Sequence, residues 1–472
     1  MAKKKVNLNI NNLPQKPVID RTITDFLNNE YKEYSKYVIA TRALPSIWDG
    51  FKTGARKVMH AAFNGGLKAG KEAKVLNLVG DIYNLTLFPH GDASLYGTIF
   101  TESAEFTDNL NPLSIIGQHG SLRDPKAVSA PRYLFVKLSK FSKLYKVDED
   151  LLDYIFDEGQ YIEPNNYFPI IPTVITSRNE GMAPGYKFMS FSYNPIDIID
   201  ACIEYIKSDK IKKTIIHPYV RGIKSSNFNY DEESGRWINR GEYKTDVGRD
   251  ILQITDLPYN ISFDKLEKKL NSYIDSGYIK DWRNYSHDNI IDYKIIFNKT
   301  ALAKELRPEH KDTLIKKLML QTIVPEDLLY VLDENKKVKK FESVYDLTEY
   351  FVSLRLEKYN ERKSRMLSVL NERLKQNTEL CNFIELIIKK KLVISNKPIN
   401  DVKKDMDKFK LPYELLKTPI SKLTAEERNE LLKKNEEIKK EIKYITDTTI
   451  ENMYISDLKE LKKELSKEGF DL

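Results

Sequence analysis

The chain has 472 residues, of which 41% are hydrophobic and 31% are charged, a composition typical of globular domains rather than of disordered or membrane-spanning chains. Its 76 basic and 69 acidic residues give a formal charge of +7, a surplus that supports nucleic-acid binding only where the cations cluster. Two cysteines are too few for a disulfide framework or a four-thiolate zinc site. The lysine- and asparagine-rich start lacks the apolar core of a signal peptide, which predicts a cytoplasmic protein without a membrane partner.

The length predicts about three domains, and the first, residues 1–150, begins with two predicted helices. Apolar residues at helical spacing predict a helix over residues 25–41, and a second helix is predicted over 53–62. Pro45 and Gly50 mark a turn between them. The cations Lys52, Arg56 and Lys57 lie at the start of the second helix, as in a helix-turn-helix, although an ordinary helix pair has the same pattern.

The second zone, residues 151–330, carries strand and turn signals. A β-branched run broken by prolines occupies residues 167–176, and Ser234-Gly235 separates two candidate strands. A further apolar run follows at 251–257. These patterns predict an α+β domain.

The third zone, residues 331–472, is helical and highly charged. Two apolar seams at helical spacing are predicted, one formed by Val352, Leu356, Tyr359, Met366, Leu370 and Leu374, the other by Leu431, Ile438, Ile442 and Ile445. Thr424 and Glu427 form a capping box before the second seam. A proline-containing stretch between the seams predicts a long helix out, a small globular tip and a helix back, and an ordinary helical bundle also fits.

Signals for nucleotide and metal binding are weak. Residues 65–72 (GGLKAGKE) have the glycine and lysine spacing of a P-loop, but Glu72 stands where a magnesium-binding hydroxyl is needed and a helix precedes the segment. We therefore expect a basic glycine-rich loop. The histidines have no metal-binding spacing, and Asp148, Glu149 and Asp150 are expected to form a solvated helix start. No metal site is predicted.

Four ordered blocks carry the strongest signal: RALPSIWDGFKTGARKV at 42–58, VGD at 79–81, PHGDASLYGTI at 89–99 and GQHGSLRDPKAVSAPRY at 117–133. Together they resemble the breakage-reunion subunit of type IIA DNA topoisomerases, which cut both strands of one duplex and pass a second duplex through the gap. Residues 170–195, 341–366 and 383–398 resemble later segments of that family. In length and layout the chain resembles the medium subunits of T-even-type bacteriophage topoisomerases.

The resemblance implies a multidomain α+β fold. Its expected parts are a winged-helix (helix-turn-helix) DNA-cleavage domain at 1–150, an α/β tower domain at 151–330, and a long antiparallel coiled coil with a globular, dimerising exit-gate tip at 331–472.

The resemblance also implies roles for individual residues. Tyr133 matches the nucleophile that becomes joined to a 5′ DNA end, since a phenol is both a usable nucleophile and a good leaving group. Arg132 would stabilise charge on the transferring phosphate, and His90 would transfer a proton or donate a hydrogen bond near it. Residues that match phosphate-holding positions are Arg42, Lys52, Arg56 and Lys57.

Three departures from the family pattern stand out. Phe88 replaces a second histidine, and Pro131 removes a backbone donor before Arg132. The isoleucine-proline wedge that bends the gate DNA is missing, and Phe191 or Met189 is the candidate replacement. These departures keep open the possibility of a divergent homologue with an inactive gate.

The expected partners follow from the resemblance and from absent motifs. The sequence shows no GHKL-type ATPase motifs and no acidic Toprim cluster, so ATP and Mg²⁺ are expected to be bound mainly by a Toprim/ATPase (gyrase B-like) partner. Two copies would form a homodimer on double-stranded DNA, and relaxation or decatenation is favoured over supercoiling. The alternative is a non-catalytic, dimeric DNA-binding or chromosome-organising protein.

Overall fold

The computed structural model describes residues 21–67, 70–287, 290–394 and 397–470, and its architecture is mixed α+β, as predicted. The α-helices are α1 (Ile23–Phe26), α2 (Lys32–Val38), α3 (Thr53–Asn64), α4 (Val75–Thr86), α5 (Asp92–Ser103), α6 (Pro195–Ser208), α7 (Phe263–Asp275), α8 (Ala301–Glu305), α9 (Pro308–Lys317), α10 (Val344–Ile388), α11 (Ile399–Lys408), α12 (Ala425–Asp447) and α13 (Ile450–Ser466).

The β-strands are β1 (Ala73–Lys74), β2 (Leu113–Ile116), β3 (Phe135–Leu138), β4 (Tyr154–Asp157), β5 (Gln160–Pro164), β6 (Asn179–Ala183), β7 (Tyr186–Ser190), β8 (Phe228–Asp231), β9 (Arg236–Arg240), β10 (Tyr243–Asp246), β11 (Ile251–Ile254), β12 (Ile279–Asn284), β13 (Tyr293–Phe297), β14 (Gln321–Ile323), β15 (Leu329–Leu332) and β16 (Val338–Phe341). Within the described residues, no helix is both long and apolar enough to cross a bilayer.

The N-terminal part combines helices with a small antiparallel sheet. The helix predicted over 25–41 forms as α1 and α2, which are joined and extended by π-helical turns at Leu27–Tyr31 and Ile39–Ala43. The helix predicted over 53–62 forms as α3, which packs against α4 and α5. In the sheet, β3 lies between β1 and β2, and Val136 is opposite both Ala73 and Ile115. Helices α3, α4 and α5 together with this three-stranded sheet give the winged-helix arrangement.

One hydrophobic core extends across the predicted boundary at residue 150. Leu44 and Val58 share this core with Ile171 and Ile199, and also with Phe351 of α10. The run at 167–176 lies in the core as a loop with one 3₁₀ turn, Thr173–Ile175, rather than as a strand. Its prolines cannot donate the backbone hydrogen bonds that a central strand needs.

A second core belongs to the middle of the chain. The antiparallel sheet β10-β11-β13-β12 presents Leu252, Tyr293 and Ile295 to α7 and its neighbours, and these side chains are fully buried. The predicted turn at Ser234-Gly235 joins β8 and β9, and Gly235 has a φ of 67° there. A residue with a Cβ is strained in this left-handed conformation.

The third part is an antiparallel helix pair with a small tip. Leu370 of α10 packs with Ile438 and Ile445 of α12, whereas Ile384, farther along α10, packs with the earlier residue Leu431. This reversed order shows that the two helices run in opposite directions. The predicted first seam divides, because its residues before 360 pack on the main core and those from Met366 onward face α12.

The ends of this helix pair also follow the prediction. The Thr424 hydroxyl accepts a hydrogen bond from the Glu427 backbone N–H at 3.2 Å, which confirms the cap of α12. Helix α11 and the loops beside it form a separate core around Phe383, Val402 and Met406. This is the globular tip between the two long helices.

Candidate active site

Tyr133 projects from a short turn that precedes β3, the central strand of the winged-helix sheet. The 3₁₀ turn Pro131–Tyr133 leads into β3, and the Tyr133 N–H donates to the Ala130 carbonyl at 2.9 Å. Pro131 lies at the first position of the turn, where a backbone N–H has no partner within the turn, so the ring fits here without losing a hydrogen bond. The Tyr133 side chain is 65% exposed, and its hydroxyl is therefore accessible to a large ligand.

Arg132 lies against the ring of Tyr133. Its guanidinium carbon is 4.8 Å from the ring centroid, within the range of a cation–π contact, and Arg132 is exposed. A phosphate that reaches the Tyr133 hydroxyl would therefore approach a fixed positive charge. These neighbours form the centre of the candidate site.

The fold brings His90 and Arg42 together from segments 48 residues apart. Arg42 ends the first helical segment, and His90 lies in the loop between α4 and α5. The Arg42 Nη2 atom is 2.9 Å from His90 Nε2. Because a guanidinium can only donate, Nε2 must accept, and we assign a neutral imidazole that carries its proton on Nδ1.

Arg56 and Lys57, two of the four predicted phosphate-holding residues, are paired with carboxylates inside the protein. Arg56 is buried and donates from Nε and Nη2 to the Asp49 carboxylate at 2.8 and 3.0 Å. Lys57 donates to Glu163 at 2.8 Å and to the carbonyl of Thr86 at 2.6 Å. In this conformation both cations hold α3 in place instead of facing solvent.

Lys52 is half-buried and donates to the Glu180 carbonyl at 2.7 Å. Burial lowers its pKa, and the nearby Glu102 carboxyl opposes that shift. Glu102 and Asp108 line a small polar cavity beside Lys52, where burial raises the pKa of Glu102 to about 8 and that of Asp108 to about 6. Lys52 is therefore held by a backbone carbonyl and is only partly accessible to a DNA phosphate.

The two candidate wedge residues are placed differently. Phe191 is only 2% exposed, and its ring packs edge-to-face against Tyr259 at a centroid distance of 5.0 Å. A ring held in the core cannot reach between base pairs, so the prediction for Phe191 is corrected. Met189 is half-buried at the end of the β6–β7 hairpin, and its backbone pairs with Leu328.

The glycine-rich segment at 65–72 has no phosphate cradle among its described residues, and positions 68 and 69 lie outside them. A helix, α3, precedes it, as predicted, and the Asp81 carboxylate accepts from the Gly66 N–H at 2.9 Å. Across the described ranges, no three His, Cys, Asp or Glu side chains are grouped to hold a metal ion. The described residues of this chain therefore do not by themselves supply the ligands of a Mg²⁺ site.

One contact of the site lacks a sequence signal. The Tyr83 hydroxyl donates to the His90 carbonyl at 2.7 Å, and the Phe88 ring lies between the Tyr83 and His90 rings. A tyrosine 7 residues before a histidine matches no recognisable sequence motif. Only the path of the loop after α4 brings the two residues together.

Several known proteins are similar to this chain in sequence and in fold. The family model for the A subunits of DNA gyrase/topoisomerase IV matches residues 42–461. Mitochondrial DNA topoisomerase 2 of Dictyostelium discoideum is 30% identical over 464 residues, which cover 94% of this chain and 35% of that protein. DNA topoisomerase 2 of Plasmodium falciparum is 28% identical, covering 94% of this chain and 34% of that protein.

A solved structure of a topoisomerase II domain is similar to this chain over most of its length. The Plasmodium falciparum topoisomerase II DNA-binding, cleavage and re-ligation domain superposes with a TM-score of 0.81 at 26% identity, covering 95% of this chain and 66% of that chain. The chain spans about a third of the length of the curated relatives described above, and these relatives are eukaryotic rather than bacteriophage proteins. Because the family match covers most of the 472 residues, the chain belongs to the family of DNA gyrase/topoisomerase IV A subunits.

Proposed function

We propose that the chain is the DNA-cleaving part of a type II DNA topoisomerase and that Tyr133 is its nucleophile. The observation that carries the proposal is the exposed Tyr133 phenol against the Arg132 guanidinium, at the start of the central strand of the winged-helix sheet. Family membership supports the same reaction class. An exposed tyrosine beside a fixed cation is what phosphoryl transfer from a DNA strand requires.

The proposed step exchanges one phosphodiester for another. The Tyr133 oxygen forms a bond to a backbone phosphorus while the bond to the 3′ oxygen breaks, leaving a 5′-phosphotyrosine and a free 3′-hydroxyl. The phenolic proton passes to a base, and the departing 3′ oxygen gains a proton. Resealing reverses these transfers, so the ester conserves the energy of the broken bond.

Arg132 and the Arg42–His90 pair supply the charges of the proposed site. Arg132 would stabilise the pentavalent phosphate, a role in which losing one donor typically costs ~10²–10³ in rate. Arg42 would bind a flanking phosphate, and its movement away from His90 would free Nε2, the one acceptor nitrogen of the neutral imidazole, for proton transfer. We assign Arg56 and Lys57 to holding α3 rather than to direct phosphate contact, because both are paired internally.

The remaining activities are proposed to come from a second protein. When bound at a junction with DNA, Mg²⁺ would neutralise phosphate charge, and ATP would drive strand passage. We propose that a Toprim/ATPase (gyrase B-like) partner holds both, and that two copies of this chain cut the two strands symmetrically, as in the T-even-type medium subunit. Relaxation or decatenation of double-stranded DNA is the proposed outcome.

The decisive experiment tests for a covalent adduct. The chain is mixed with its Toprim/ATPase partner, Mg²⁺ and 5′-labelled and 3′-labelled duplex DNA, and the reaction is stopped with detergent. We expect protein attached to 5′ ends only, and no adduct with Tyr133→Phe. The matched control is Tyr161→Phe, which alters another exposed tyrosine, on β5, and should form adduct at the unmodified rate.

The alternative functions predict different results. No adduct from the unmodified complex that nevertheless binds DNA would favour a non-catalytic, dimeric DNA-binding protein or an inactive gate. Adduct formation by the chain without its partner, at the rate of the complex, would contradict the heteromeric arrangement. An adduct that persists in Tyr133→Phe would contradict the assigned nucleophile.

A further inference from the structure

The loop that carries His90 is short and lies at the surface. Residues 87–91 connect α4 to α5 on the surface, and His90 itself is exposed. Leu87 ends α4 in the left-handed conformation, with a φ of 50°, which a leucine rarely adopts. An exposed loop with a strained first residue needs specific contacts if its histidine is to keep one position.

Two hydrogen bonds hold His90, one through its side chain and one through its backbone. The side chain is held by Arg42, whose guanidinium is 2.9 Å from Nε2. The backbone is held by Tyr83, whose hydroxyl is 2.7 Å from the His90 carbonyl oxygen. A DNA phosphate competes for a guanidinium, but a neutral hydroxyl bonded to a carbonyl is not a strong phosphate ligand. The backbone contact is therefore the one that can persist when DNA binds.

The ring of Tyr83 supports the same loop. The Tyr83 and Phe88 ring centroids are 6.1 Å apart, and the Phe88 and His90 centroids are 5.5 Å apart, both edge-to-face. Tyr83 therefore holds the loop through its hydroxyl and through a row of three rings. Phe88 lies in the middle of that row.

We propose that Tyr83 is a positioning residue that fixes the backbone of His90. The imidazole would then stay beside the transferring phosphate when the Arg42 guanidinium leaves His90 and binds a DNA phosphate. The inference rests on the proposed function, because it assigns a step to His90. It adds a residue that the four sequence blocks do not contain. The variant Tyr83→Phe removes only the hydroxyl and retains the row of rings, so folding should be preserved.

The first test uses the chain alone. Histidine ring nitrogens are labelled with ¹⁵N, and the His90 signals are identified by their loss in His90→Gln. We expect Tyr83→Phe to shift or broaden the His90 signals while leaving the signals of the other histidines unchanged. Tyr161→Phe should change none of them. Superimposable His90 signals in Tyr83→Phe would overturn the proposal.

The second test measures the reaction of the complex. The loss of one hydrogen bond should slow Tyr133 adduct formation by about 3- to 10-fold in Tyr83→Phe, with the DNA dissociation constant within about twofold of the unmodified value. A purely structural role would instead lower stability and leave the rate constant unchanged, which overturns the proposal.

The two proposals fail in different ways. If the unmodified complex forms no adduct, the proposed function fails, and a His90 signal change in Tyr83→Phe then reports only a structural contact. If the unmodified complex forms adduct and Tyr83→Phe reacts equally fast, only the positioning role is wrong.

Discussion

Two arginines of the family-matched region are used in different ways by the fold. Arg132 is exposed against the Tyr133 ring, whereas Arg56 is buried and forms two hydrogen bonds with Asp49. The Asp49 carboxylate also accepts from the backbone N–H of Tyr167, so the pair connects α3 to the core loop. A buried guanidinium is neutralised by its partner and therefore adds little to the field that DNA meets.

Arg56 and Arg42 should consequently respond differently to removal. We expect Arg56→Ala to lower the free energy of unfolding by about 3–5 kcal/mol, because Asp49 would remain buried without its partner. Arg42→Ala should leave stability nearly unchanged and lower the slope of DNA affinity against salt by about one charge. Urea unfolding and binding at several salt concentrations measure the two effects. Equal losses of stability in both variants would contradict this division of roles.

The long helices show how a single element serves two packing environments. Helix α10 has 45 residues, which corresponds to a length of about 68 Å. Its first turns pack on the main core through Phe351 and Val352, and its later turns pair with α12. The apolar residues of α10 therefore contact the main core in its first part and α12 in its later part, so they do not form one straight stripe along the helix.

Adjacent leucines of α12 provide a matched test of that pairing. Leu431 is 6% exposed and packs with Ile384, whereas its neighbour Leu432 is 41% exposed. We expect Leu431→Ala to lower the free energy of unfolding by about 2–5 kcal/mol and Leu432→Ala to change it by less than about 0.5 kcal/mol. Chemical unfolding followed by circular dichroism measures both. Equal effects would show that α12 does not pack on α10 in this register.

At the scale of the whole molecule, a charged cluster joins the long helix to the main core. Arg355 of α10 is fully buried and pairs with Asp148, which corrects the prediction that Asp148 belongs to a solvated helix start. Arg362 reaches Asp148 at 3.4 Å and Asp457 of α13 at 2.6 Å. Asp457 also accepts from the Tyr359 hydroxyl at 2.7 Å. These contacts fix the direction in which the coiled coil leaves the core.

Removing Arg355 should therefore weaken the whole protein. We expect Arg355→Met to lower the free energy of unfolding by about 3–5 kcal/mol, since buried Asp148 would lose its closest ion pair and keep only the longer contact with Arg362 at 3.4 Å. The control is Lys434→Met, which breaks an exposed pair with Glu430 at 3.6 Å and should cost less than about 1 kcal/mol. Adding Asp148→Asn to Arg355→Met should recover part of the loss. No recovery would show that packing of the Arg355 side chain, rather than the unpaired charge, sets the cost.

Features that depend on neighbouring residues could be predicted from the amino-acid sequence. Helical spacing, the Thr424 cap and the Ser234-Gly235 turn act over a few residues, and each forms as predicted. The ordered blocks identified the family. Tertiary structure alone decided which side chains are buried: Lys57 meets Glu163 across 106 positions, and Arg355 meets Asp148 across 207. Such pairs form only when packing brings distant segments together. A local sequence pattern covers a few residues and therefore cannot show which distant side chain will be the partner.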